Sequence, residues 1–165
     1  MWNQESHLDH LVLGATIPRP FVSVYNNAVA RVPLYGSHMR STGHVHVDRT
    51  DEPQWRAQLD AAAERVRAGL CIVLSPEGTR GRAGRLLPMK RGAFILATVA
   101  QRPIVCVTVI GGHLRLPRGA AVVRPGPVRV VFSAPISTAG EQIESGRLQA
   151  LVARTFEDAK ERHAL

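Results

Sequence analysis

The sequence predicts an α/β domain with a mostly parallel central sheet flanked by helices, and three observations point there. Apolar runs rich in β-branched residues alternate with segments of helical periodicity through most of the chain. Two of those runs, Leu70–Ser75 and Ile104–Ile110, are continuous rather than alternating, as in strands buried on both faces. The length of 165 residues suits one domain with a real core, and no repeat or linker divides it.

In chain order, Ser6-His7-Leu8-Asp9 resembles a capping box opening a short helix that Gly14 could end. Pro18 and Pro20 bracket a turn before the strand-like run Phe21–Tyr25. A second short helix or loop is expected through Val29 to Met39. Gly43–Arg49 alternates valine with polar residues and reads as a half-exposed strand. Gln54–Ala68 is the clearest helix, with Trp55, Leu59, Ala62, Ala63 and Val66 on one face and Gly69 as its stop. The buried strand Leu70–Ser75 follows, then a Gly/Arg-rich loop and an almost wholly apolar helix, Arg91–Ala100. Ile104–Ile110 and Val128–Phe132 are further strands, and an amphipathic helix spans Leu148–Arg162.

Composition narrows the function. There are 21 Lys+Arg against 13 Asp+Glu, a formal charge of +8, and only Lys90 and Lys160 are lysines. Such a surface attracts phosphates, on nucleic acid or on an anionic membrane. Aromatics make up 5% of residues, too few for the stacking platforms of single-stranded nucleic-acid binders, so nucleic acid is the weaker partner. Cys71 and Cys106 lie in apolar runs and read as small buried hydrophobes, with no disulfide framework. No stretch approaches the about eighteen apolar residues that a membrane span needs. His7, His10, His44 and His46 share no ligand spacing with cysteines or carboxylates, so no metal site is expected.

Chemistry concentrates at Pro76-Glu77-Gly78-Thr79-Arg80, directly after a buried strand. Ligands of open α/β sheets collect outside the carboxyl ends of strands. Gly78 permits close backbone approach, Thr79 offers a hydroxyl, and Arg80 offers a bidentate fork for phosphate. Arg82, Arg85, Lys90 and Arg91 crowd the same segment. Glu77 is out of place there unless it orients an arginine or accepts a substrate hydroxyl.

Four segments, Asn3–Asp9, Gly43–Arg49, Pro76–Arg80 and Pro103–Val107, stand in the order and rough spacing of the four sequence blocks of one family. With Leu87-Pro88-Met89-Lys90-Arg91-Gly92-Ala93-Phe94, they make the chain resemble the glycerolipid (1-acylglycerol-3-phosphate and lysophospholipid) acyltransferases over about residues 3–140. The resemblance implies a glycerol-3-phosphate acyltransferase-like fold and an O-acyltransferase of phospholipid biosynthesis. It would move an acyl group from acyl-CoA or an acyl carrier protein to a lysophospholipid or glycerol-phosphate hydroxyl, with no further cofactor. It also implies peripheral contact with an anionic membrane at its cytoplasmic face.

In that family the first block reads Asn-His-x-Ser-x-x-Asp, its histidine the general base and its aspartate the group that orients it. Carried over, Asp9 is the orienting carboxylate, Glu77, Gly78, Thr79, Arg80 and Lys90 hold the acceptor, and Arg49 assists. The base position holds Gln4, whose carboxamide has no basic nitrogen near neutral pH. His7 and His10 are the candidates to replace it, with His7 in the first turn beside Asp9. The alternative is a member that binds phosphate-bearing lipid without turnover. Asn26 and Asn27 stand where relatives commonly carry lysines, and Cys106 stands where a proline is usual. Only Met1 and Trp2 precede the first block, so the resemblance implies that the usual N-terminal strand or membrane segment is missing.

Overall fold

The computed structural model describes residues 1–48, 52–81, 84–138 and 145–165. Helix α1 (Asp9–Thr16) leads into strand β1 (Phe21–Tyr25), followed by two short helices, α2 (Asn27–Ala30) and α3 (Tyr35–Ser41). Strand β2 (Val45–His46), helix α4 (Glu52–Arg67) and strand β3 (Cys71–Val73) come next, then helix α5 (Arg91–Ala100). Strand β4 (Val107–Ile110), the short helix α6 (Gly112–Arg115), strand β5 (Arg129–Phe132) and helix α7 (Ser145–Arg162) complete the order.

The expected parallel core is present: β1 lies between β2 and β3, pairing Val24 with Val45 and Val22 with Ile72. The last two strands differ from it. β4 and β5 pair antiparallel, with Val109 opposite Val130. Trp2 joins the two sheets, donating its N–H to Leu74 O at 3.1 Å and bridging Val107 in parallel. Asn3 then extends β4 with its side chain alone: Oδ1 accepts Val109 N–H at 2.7 Å, and Nδ2 donates to Val109 O at 2.8 Å. A carboxamide offers a carbonyl acceptor and an N–H donor side by side as a peptide unit does, and its second N–H remains free for Glu5.

Period-two alternation divides the strand side chains between two faces. Phe21, Cys71, Val73, Val107 and Val109 pack with Leu13 of α1 and with Trp2. Val22, Val24 and Ile72 pack against Leu59, Ala62 and Ala63 of α4 and Leu96 of α5. Leu148, Val152 and Phe156, four apart on one stripe of α7, close a third cluster over Phe94 and Cys106.

Some expected boundaries move. The first helix begins at Asp9, with Leu8 at its N-cap and no side-chain cap bond, and continues through Gly14 to Thr16. Asp9 Oδ2 accepts Ser6 N–H and Ser6 Oγ accepts Leu8 N–H in the turn before it. The strand expected over Gly43–Arg49 is two residues long. The strand read as buried on both faces has Cys71 and Ile72 only half-buried. Helix α4 does stop at Gly69, whose φ of 102° lets Leu70 N–H return to Arg65 O. Among the described residues, no helix is long and apolar enough to cross a membrane.

Candidate functional site

The carboxyl ends of β1, β2 and β3 open onto a cleft of about 970 Å³. Its polar lining includes Gln4, His10, Ser75, Thr79, Arg80, Lys90 and Arg91, with Asp60 as the acidic residue among the cations. Its apolar lining comes from Val24, Val47, Met39, Leu59, Leu96 and Val99, on strands and helices around the same opening. Cationic and hydroxyl groups thus share one wall system with a long aliphatic surface, a combination suited to an amphiphile with an anionic head.

The loop after β3 is held in shape by its own backbone. Gly78 sits at φ 68° and returns its N–H to Ser75 O at 3.2 Å, turning the chain so that Thr79 and Arg80 face the cleft. Lys90 N–H donates to Pro76 O at 2.8 Å, which brings the start of α5 beside the loop. Gly81 N–H donates to Gln4 O at 2.7 Å and fastens the first block to the third.

Glu77 takes a different place from the one expected. It is buried, and its oxygens accept the backbone N–H groups of Gln4 at 3.0 Å and Leu87 at 2.7 Å. It does not line the cleft with its neighbours Pro76 and Gly78. The side chain is a clamp behind the loop, which removes the puzzle of a carboxylate inside an anion site. Burial raises its carboxyl above the ordinary range, against the lowering effect of the two amides.

Asp9 is also fully buried beneath the first block. Its Oδ2 accepts Glu5 N–H at 2.7 Å and Ser6 N–H at 3.0 Å, while Oδ1 has no hydrogen-bond partner among the described residues. Burial pushes its carboxyl up to about 6, with the two amides opposing. The Trp2 indole also lowers it, although Trp2 Nε1 makes no hydrogen bond of normal geometry. Gly112 packs against this carboxylate so closely that an added Cβ would stand 2.9 Å from Oδ1. Among the described residues, no histidine side chain bonds to Asp9.

The two histidines near the first block separate cleanly. His7 is exposed, does not line the cleft, and is held below its ordinary acidity range by partial burial and by Arg80. His10, one residue past Asp9 on α1, lines the cleft and meets the Trp2 ring edge-on at 5.3 Å. Burial, then His7 and His44, keep its pKa below 6.5, so the ring is neutral near pH 7. The sequence puts His7 first; of the two rings, His10 is the one on the cleft wall. Arg49 and Arg82 lie outside the described residues.

Another group of residues was not legible beforehand. Glu5, nearly buried, lies 2.8 Å from His113 Nδ1 and 2.5 Å from Lys160 Nζ, and accepts Asn3 Nδ2 at 3.3 Å. The cluster ties α6 and α7 to the first block, and Lys160 also donates to Gly84 O. Nothing in local spacing joins residues 5, 113 and 160; only the fold does. Among the described residues, no cluster of side chains suits a metal ion.

Fold and cleft together define an α/β domain built around an amphiphilic cleft with a cationic wall. The chain belongs to the acyltransferase family, whose sequence profile matches residues 1–110. It is 34% identical over 140 residues to the 1-acyl-sn-glycerol-3-phosphate acyltransferase of Limnanthes douglasii, covering 82% of this chain and 49% of that protein. The Cocos nucifera enzyme of the same name is 31% identical over 140 residues, covering 82% of this chain and 44% of its own length. The chain therefore spans about half the length of these curated relatives. Among solved structures, the 1-acyl-sn-glycerophosphate (LPA) acyltransferase PlsC from Thermotoga maritima superposes with a TM-score of 0.77 at 22% identity. That match covers 99% of this chain and 66% of the other.

Proposed function

We propose that this domain transfers an acyl group from acyl-CoA or an acyl carrier protein to the free hydroxyl of 1-acylglycerol 3-phosphate or a related lysophospholipid. The observation that carries the reading is the cleft itself. Arg80, Lys90 and Thr79 suit the acceptor phosphate, and the aliphatic walls from β1, α4 and α5 suit an acyl chain. The acceptor hydroxyl loses its proton to a base, its oxygen attacks the thioester carbonyl, and the tetrahedral intermediate expels the thiolate. Transfer is direct, with no covalent enzyme intermediate. The reaction takes place at the cytoplasmic face of a membrane, where the lysophospholipid acceptor resides.

Gln4 cannot be the base. His10 is the imidazole on the cleft wall, neutral near pH 7 and fixed at its edge by Trp2, and in this reading it takes the proton. Asp9 positions the first block through Glu5 and Ser6 rather than orienting a histidine. A second reading is favoured by Gln4 itself: a member that holds phosphate-bearing lipid without turnover.

Thiol release from acyl-CoA in the presence of lysophosphatidic acid, measured for the wild type and for Gln4→His, separates the two. If the wild type lacks a base, as in the second reading, Gln4→His is expected to raise turnover on the order of a hundred- to ten-thousand-fold; if His10 already takes the proton, the substitution should change turnover little. Turnover by the wild type supports the first reading. Turnover by Gln4→His alone supports the second. A failure of both proteins to turn over or bind lysophosphatidic acid would sink the assignment.

A further inference from the structure

We propose that the turn between α2 and α3 is an apolar wedge that inserts into an anionic lipid surface and seats the cleft mouth on it. The proposal rests on the acyltransferase reading only for what the cleft does once seated. Residues 31–35, Arg-Val-Pro-Leu-Tyr, are all exposed, and Leu34 is 87% accessible. Leu34 also has φ 63°, a conformation that disfavours a branched side chain and that no packing compensates. Its backbone forms a γ-turn, with Tyr35 N–H returning to Pro33 O at 2.6 Å, and caps α3 by accepting His38 N–H, but its side chain packs on nothing.

The turn is firmly built beneath that tip. Gly36 returns its N–H to Val32 O at 2.9 Å and is pressed so tightly on α2 that an added Cβ would stand 2.2 Å from Ala30 O. Met39 buries the other side of α3, and Tyr35 and Val29 continue the tip into the cleft lining. The tip is thus braced from below and continuous with the cleft lining.

Charge selects the partner. From His10 through Val47 the sequence holds Arg19, Arg31 and Arg40 and not one aspartate or glutamate. Exposed Arg31 and Arg40 flank the apolar tip, and Lys90 and Arg91 line the same cleft. An apolar insertion beside basic side chains is the two-signal arrangement that holds a peripheral protein on anionic lipid.

The test is sedimentation with phosphatidylcholine vesicles, with and without phosphatidylglycerol, which requires no turnover and so stands or falls apart from the catalytic reading. Leu34→Asp is expected to weaken binding to the anionic vesicles roughly tenfold to a hundredfold, the worth of one buried leucine. Arg31→Glu/Arg40→Glu is expected to abolish the preference for phosphatidylglycerol. Leu34→Gly guards against a folding artefact: it relieves the backbone, so its Tm should rise while its vesicle affinity falls. Unchanged affinity of Leu34→Gly would overturn the proposal. So would a loss confined to self-association in sedimentation equilibrium, which would make the turn a contact between copies of the chain.

Discussion

The carboxylate of Glu77 accepts the backbone N–H of Gln4 at 3.0 Å, so the expected base position is fastened to the cationic loop from behind. The same side chain accepts Leu87 N–H at 2.7 Å, and it is buried. Removing it takes the acceptor from two partly buried backbone donors. Glu77→Ala should therefore lose about 2–4 kcal/mol in urea unfolding, and Glu77→Gln, which keeps one acceptor, about half that. Wild-type stability in Glu77→Ala would show that the clamp holds nothing.

His10 and His7 are three residues apart, yet only His10 lines the cleft. His10→Ala should remove wild-type turnover by about two orders of magnitude or more, while His7→Ala stays within about twofold. Because burial keeps the His10 pKa below 6.5, the acid limb of the kcat/KM profile should have its midpoint below that value. A reversed pattern, with His7→Ala inactive, would assign the proton transfer to the exposed ring.

Arg80 and Lys90 line the cleft from the two segments joined by the Lys90 N–H to Pro76 O bond. A guanidinium on a phosphate is worth about 1.5–3 kcal/mol, so Arg80→Ala should weaken lysophosphatidic acid binding about tenfold to a hundredfold. Binding of the matching uncharged monoacylglycerol, measured by the same titration, should be nearly unaffected. Equal losses for both ligands would mean that Arg80 shapes the cleft rather than reading the phosphate.

Much of this was legible in the sequence where periodicity is strong. The helix at Arg91–Ala100 and the strand core at Phe21–Tyr25 stand where their apolar patterns put them. Strand direction was less so: β4 and β5 are apolar runs like the others, and no local signal distinguishes an antiparallel pair from a parallel one. The site divides in the same way. Gly78, Thr79, Arg80 and Lys90 could be placed together because they follow one buried strand. Glu77 could not be separated from them, because adjacent residues in a tight turn point to opposite sides. Trp2 was similarly hidden, since its place between β3 and β4 depends on contacts about a hundred residues away.

Asp9 gives the sharpest pH test. Its carboxyl moves from 3.8 to about 6 on folding, chiefly through burial. Folding thus favours the protonated form: the contribution is fully present below the unfolded pKa, fades as pH rises, and is gone above about 6. A displacement of that size corresponds to about 3 kcal/mol. Glu77 is displaced in the same direction, so the wild-type slope alone does not isolate Asp9. The difference between wild type and Asp9→Asn does, because Asn keeps an oxygen for the Glu5 and Ser6 amides without titrating. Urea unfolding at intervals from pH 4 to pH 7 should show the wild type losing stability relative to Asp9→Asn across the window from 3.8 to about 6. Parallel profiles for the two proteins would mean that the Asp9 carboxyl is not displaced, and that water reaches the unpaired Oδ1 beside Gly112.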